Sequence, residues 1–99
     1  MASKRQLKGD IKFIAEELVS ECIAYIMINS EANLEETEAI VNDVVEYYSK
    51  ALIDINAVRK LDKKERGDNL KAIRNDLGQK VPEFIARIAK LCEKKQNAN

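Results

Sequence analysis

Histidine and tryptophan are absent from this chain, proline occurs once, glycine three times and cysteine twice. Without histidine there is no ordinary general base near neutral pH, no Ser-His-Asp or Cys-His nucleophile arrangement, and none of the commonest metal ligand. Di-iron carboxylate bundles, which need Glu-x-x-His pairs, are excluded as well. Gly9, Gly67 and Gly78 stand alone, so no glycine-rich loop cradles a phosphate. So few turn-forming residues also argue against sandwiches, barrels and flexible linkers. The only aromatic residues are Phe13, Tyr25, Tyr47, Tyr48 and Phe84, and the core must therefore be built from Ile, Leu, Val and Ala. The longest apolar run, Cys22 to Ile28, is seven residues, far below the roughly 20 of a membrane span. No signal-peptide core precedes Leu7, and both cysteines sit inside apolar patterns rather than at framework spacing. The expectation is a reduced, cytoplasmic protein with no membrane segment.

What the chain does contain is charge and helical periodicity. Of its 99 residues 45% are hydrophobic and 34% charged, which suits one all-α domain over 1–99 with heavily solvated outer faces. Ser3 followed by Gln6 has the spacing of a capping box. From there Leu7, Ile11, Ile14, Ala15, Leu18, Val19, Cys22, Tyr25 and Ile26 recur at steps of three and four. At about 100° per residue they fall in a stripe roughly 140° wide, which predicts an amphipathic helix over 4–29. Asn33 repeats the start signal with Glu36 three residues on, and Val41, Val44, Val45, Tyr48, Leu52, Ile55 and Val58 carry one face of a second helix over 34–61. Gly67 offers a left-handed terminator for it, and Asp68 a cap for the third helix.

Leu70, Ile73, Leu77, Val81, Phe84, Ile85, Ile88, Leu91 and Cys92 define the face of that third helix, over 69–95. Pro82 opposes a regular helix there, because it lacks an N–H and its ring meets the carbonyl four residues back. That residue is Gly78. The apolar stripe also keeps its phase across the proline, with Leu77, Val81, Phe84 and Ile88 within roughly 60° of one another. The phase predicts a kinked helix; the alternative is two helices meeting near Lys80. Three helices of similar length joined by short loops pack as an antiparallel up-down-up bundle, with a Pro-kinked third helix.

Formal charge sums to zero but is unevenly distributed: net +3 over residues 1–12, −9 over 16–54 and +6 over 55–99. In an up-down-up bundle Lys4, Arg5, Lys8, Lys12, Arg59, Lys60, Lys63, Lys64, Arg66, Lys71 and Arg74 gather toward one pole. Glu21, Glu31, Glu35, Glu36 and Glu38 lie at the other, partly offset by Lys90, Lys94 and Lys95. The basic pole, with Lys4, Arg5, Lys8, Arg59, Lys60, Lys63, Lys64 and Arg66 at its centre, is either a solvated helix end or a docking site for an acidic surface. Nucleic acid is the less favoured partner, since acids interrupt the basic residues and no aromatic lies among them to stack on bases.

Phe13 lies almost opposite the centre of the first stripe, and Ala24, Met27 and Ile28 stray toward the same back face. Ile53 is similarly displaced on the second helix, at about the height of Phe13. These five form a candidate partner surface, the alternative being a first helix wrapped on more sides than a three-helix bundle requires. Cys22 and Cys92 lie a similar distance along the first and third helices, and are read as a buried structural pair rather than half a zinc site.

Lys4-Arg5-Gln6-Leu7-Lys8-Gly9-Asp10-Ile11, the helix that follows, and the two long helices after it resemble a group of small all-helical bacterial proteins of unknown function. The resemblance implies an all-α fold and a bacterial cytoplasm, and carries no activity or site. The functional expectation is a non-enzymatic protein–protein interaction or scaffolding module, with a homodimer as one form, and no metal, cofactor or small-molecule substrate. The alternative is a nucleic-acid-associated protein acting through the basic pole.

Overall fold

The computed structural model describes the backbone of residues 4–29 and 32–97, with side chains as far as Leu91. Ser3, Glu31 and the side chains of Cys92, Lys94 and Lys95 lie outside the described residues, and with them the Ser3 cap and the pairing of the two cysteines. Three helices and no strand occur among the described residues: α1 (Lys4–Ile28), α2 (Leu34–Ala57) followed by a 3₁₀ turn (Val58–Lys60), and α3 (Lys63–Asn97). The molecule is a rod of 56 × 17 × 17 Å.

The first corner is built around Tyr25. Its backbone carbonyl accepts from the Asn29 amide at 3.1 Å and from Asn29 Nδ2 at 2.9 Å, and its hydroxyl accepts from the Asn33 amide at 3.3 Å. Asn33 then caps α2: its Oδ1 accepts from the Glu36 amide at 3.0 Å while its Nδ2 donates to Glu36 Oε2 at 3.1 Å. Each helix start leaves backbone N–H groups without an intrahelical partner, and this reciprocal pair satisfies one of them. Glu35 and Glu36 occupy the first turn of α2, where the positive end of the helix dipole favours them. Thr37 is wholly buried, and its hydroxyl donates to the Asn33 carbonyl at 2.7 Å, so that the hydroxyl is not left unpaired.

The second corner corrects the sequence expectation. α3 begins at Lys63, six residues before Asn69, and Gly67 lies inside it with no left-handed conformation. The cap is Asp62 rather than Asp68: its Oδ1 accepts from the Glu65 amide at 2.9 Å and its carbonyl from the Arg66 amide at 2.9 Å. A glycine ends a helix when it supplies a positive φ. Here an earlier aspartate has already started the next helix, and the connection shrinks to Leu61 and Asp62. Arg66 turns back on this corner, its Nε donating to the Leu61 carbonyl at 3.0 Å. α3 runs unbroken past Pro82, so the two-helix alternative near Lys80 does not occur.

Packing between the helices falls into two buried clusters. Leu7 and Ile11 of α1 meet Ala51 and Ile55 of α2 and Leu77 of α3. Leu18, Cys22 and Tyr25 meet Ile40 and Val44 of α2 and Phe84, Ile88 and Leu91 of α3. Ile14 and Tyr47 pack against both and join them. Fully burying a side chain such as Leu7, Ile55 or Leu91 contributes about 1.5–3 kcal/mol, so the seam outweighs any single corner contact.

Gly67 separates the two accounts of the second corner. A Cβ built on it meets nothing within 4 Å, so Gly67→Ala should stabilise the protein by roughly 0.5–1 kcal/mol through helix propensity. Asp62→Ala should destabilise it by about 1 kcal/mol. Urea unfolding followed by circular dichroism measures both, and a destabilising Gly67→Ala would restore glycine as a terminator.

Candidate interaction surfaces

The apolar stripes are wider than the three-helix seam can cover. At about 100° per residue, Leu7, Ile11, Leu18, Cys22 and Tyr25 mark the centre of the α1 stripe, and these are the residues the structure buries. Those on one edge emerge. Val19 is half-buried, Ile23 is 50% exposed and Ile26 is 37% exposed. On α2 the buried centre is Thr37, Ile40, Val44, Ala51 and Ile55, while Val45 is 49% exposed and Val41, Tyr48 and Leu52 are half-buried.

The two surplus edges face each other. Ala15, Val19 and Ile23 of α1 and Val45 and Tyr48 of α2 line one open groove, along with Lys12, Glu16 and Ser20. Sequence periodicity assigned Val45 to the core and did not single out Ile23. Both signals were present, since Val19-Ile23-Ile26 and Val41-Val45-Tyr48-Leu52 each repeat at steps of three and four. Such a repeat beside the main seam marks a second contact line on the helix.

The five residues expected to form a partner surface are all exposed but are not brought together. Phe13 lies in a groove between α1 and α3, lined also by Ile14, Leu77, Gly78, Val81 and Pro82. The ion pair of Arg74 with Asp10, 3.3 Å long, forms part of its wall. Ile53 lies two residues from each of the buried Ala51 and Ile55, hence about 200° round α2 from either, on the outer face. Met27 and Ile28 are 80% and 81% exposed at the last turn of α1, next to an exposed Ala24.

At the other end of the rod Lys4, Arg5 and Lys8 lie next to Leu7 in sequence, Leu7 packs in one cluster with Ile55, and Arg59 and Lys60 follow in the 3₁₀ turn. Lys63, Lys64 and Arg66 now belong to the first turns of α3. At about 100° per residue they point in three directions rather than along one track. No group of three or more potential metal ligands occurs among the described residues, and none of their helices is long and apolar enough to cross a membrane.

The groove between α2 and α3 mixes charged side chains with apolar ones such as Val58, Leu61 and Ile73. Tyr47, Lys50, Asp54, Asp76 and Lys80 are among the residues lining it, in a volume of about 660 Å³. Tyr47 spans this side of the rod: its hydroxyl donates to Asp76 Oδ2 at 2.8 Å, and its ring meets Phe84 edge-on at 6.0 Å between centroids. Arg87 bridges to Asp43 at 2.8 Å nearby. These half-exposed ion pairs contribute tenths of a kcal/mol each and serve mainly to fix how the helices are aligned. Tyr47 itself is structural. Burial, then the hydrogen bond to Asp76 and its negative charge, push the phenol well above its ordinary pKa of about 10 and keep it a neutral donor.

No protein-family model, curated protein or solved structure matches this chain.

The Tyr47 shift has a definite pH signature. Its folded-state pKa is raised, so the stability it contributes is complete below about pH 10 and declines above it, as the unfolded chain begins to release the proton. Thermal unfolding between pH 8 and 11 should therefore show the wild type losing stability more steeply than Tyr47→Phe. Parallel pH dependences would refute the assignment.

Proposed function

We propose that this chain is a non-enzymatic protein–protein interaction or scaffolding module, folded as an antiparallel up-down-up three-helix bundle with a kink at Pro82. The topology is supported by the membership of the two clusters. Low-numbered residues of α1 share a cluster with high-numbered residues of α2 and with Leu77, and later residues of α1 share one with the start of α2 and with Leu91. Pro82 supports the kink because its ring strikes the preceding turn and removes one hydrogen bond from it. A cytoplasmic setting is supported by two cysteines that sit inside apolar patterns rather than at framework spacing.

The observation that carries the functional reading is the apolar groove between α1 and α2. Exposed apolar surface shared by two helices, and flanked by charge, is the composition of a protein contact rather than of a reaction site. The chemistry of the chain agrees. It has no histidine, and its one strongly perturbed phenol is held in the protonated, unreactive form.

A test compares what wild-type protein and an Ile23→Glu/Val45→Glu variant capture from the native cell, with Ile53→Glu as a control on the outer face. All three substitutions fall on half-exposed or exposed positions, so circular dichroism should show equal folding. The double variant is expected to lose specific partners that the control retains. Equal capture by all three proteins would count against the interaction reading.

The competing use is phosphate binding at the basic end, favoured by the exposed Arg59, Lys60, Lys63 and Lys64 in close succession. Asp62, Glu65 and Asp68 interrupt them and Arg66 is turned onto the corner. Elution from heparin below about 0.15 M salt is expected, and tight retention above it would favour nucleic acid instead.

A further inference from the structure

The groove between α1 and α2 has a property that chooses its occupant. Residues 13–49, which span the later part of α1 and the first part of α2, contain nine acidic side chains and no lysine or arginine. Toward the other end of the same two helices stand Lys4, Arg5, Lys8 and Lys12, with Arg59 and Lys60 in the turn that follows α2. The apolar groove of Val19, Ile23, Val45 and Tyr48 lies within the 13–49 span, walled also by Lys12 and Glu16, and beyond it the start of α2 carries Glu35, Glu36 and Glu38. The flank therefore reads basic, apolar, acidic along its length.

We propose that a second copy of this chain covers this groove in antiparallel orientation, related by a two-fold axis that crosses the flank near Val19 and Val45. Resting on the interaction reading, this names the partner. A two-fold contact requires a self-complementary surface, in which each residue type meets what it needs in the partner. Turning the flank end over end lays basic on acidic at both ends and apolar on apolar in the middle. The parallel arrangement places basic on basic and acidic on acidic, and is repelled at both ends. Along each helix, Val19-Ile23-Ile26 and Val41-Val45-Tyr48-Leu52 supply the three-and-four-spaced ridges that interlock between helices.

The rod offers a flank of 56 × 17 Å, larger in projection than the roughly 800 Å² per partner of a standard protein interface. Arg87 of α3 is already engaged by Asp43 of α2. Screening confines the attraction to charges within about 8 Å, which is the scale of neighbours across a helix contact.

Sedimentation equilibrium of the full chain tests the proposal directly. Wild type is expected to be a dimer at ~100 µM, and Ile23→Glu/Val45→Glu a folded monomer. Two charge variants then test orientation, namely Arg5→Glu/Lys8→Glu/Lys12→Glu, which makes the start of α1 acidic, and Glu35→Lys/Glu38→Lys, which makes the first turns of α2 basic. Each alone should associate at least about tenfold more weakly than wild type, and an equimolar mixture should recover a heterodimer. A wild type that stays monomeric overturns the second copy whatever the capture experiment gives. A wild-type dimer whose charge variants do not recover on mixing overturns the antiparallel arrangement. The interaction reading falls separately, only if partner capture is also indifferent to Ile23→Glu/Val45→Glu.

Discussion

A continuous apolar seam along the rod is the constraint on which every other feature rests. It is made of two clusters, Leu7 with Ile55 and Leu77 at one end and Cys22 with Val44 and Leu91 at the other, and Ile14 and Tyr47 join them. Tyr47 is the telling member. Its ring belongs to the seam, yet its hydroxyl reaches the surface at Asp76, so one side chain ties α2 to α3 by both burial and a hydrogen bond. Asp10 with Arg74 ties α1 to α3 in the same spirit, but outside the seam and at lower energy.

The seam is narrower than the apolar stripes that build it. A helix in a small bundle covers only the part of its surface facing its neighbours, and the remaining apolar edge must be hydrated or met by another molecule. On α1 and α2 part of the surplus, Ile23 with Val45, lines their shared groove, while Phe13 and Ile53 lie elsewhere, and on α3 Ile85 is the exposed large apolar side chain among the described residues. That asymmetry distinguishes one flank of the rod from the others. The same flank has Lys4, Arg5, Lys8 and Lys12 toward the start of α1 and Glu35, Glu36 and Glu38 at the start of α2, so its shape and its electrostatics share one direction.

Helical class and number were legible from spacing alone, because buried centres such as Leu7-Ile11-Leu18-Cys22-Tyr25 repeat with little interruption. So was the Asn33 cap, whose Glu36 partner stands three residues away. The start of α3 was not. Asp62 and Glu65 carry the same capping spacing as Asn33 and Glu36, but a glycine five residues after Asp62 suggested a stop instead. The outward-facing residues were only half legible. Periodicity identifies Phe13 and Ile53 as displaced from the stripe, but it cannot tell that they face different flanks, because that depends on which side of each helix its neighbour sits. Ile23 and Val45 lay hidden for the converse reason, being stripe edges that a wider core would have covered.

Pro82 has a consequence for how the rod opens. It stands on the exposed side of α3, about 200° from the buried Phe84, so the Gly78 carbonyl, which loses its donor to the proline, can be hydrated without breaching the seam. The same ring on the inward side would have stranded a carbonyl among Leu77 and Phe84 at a desolvation penalty of about 1–3 kcal/mol. One turn of the longest helix is thus open to water in the folded state. A weak turn there would let the amide hydrogens on either side of it open separately, so that deuterium exchange enters α3 from its middle as well as from its ends.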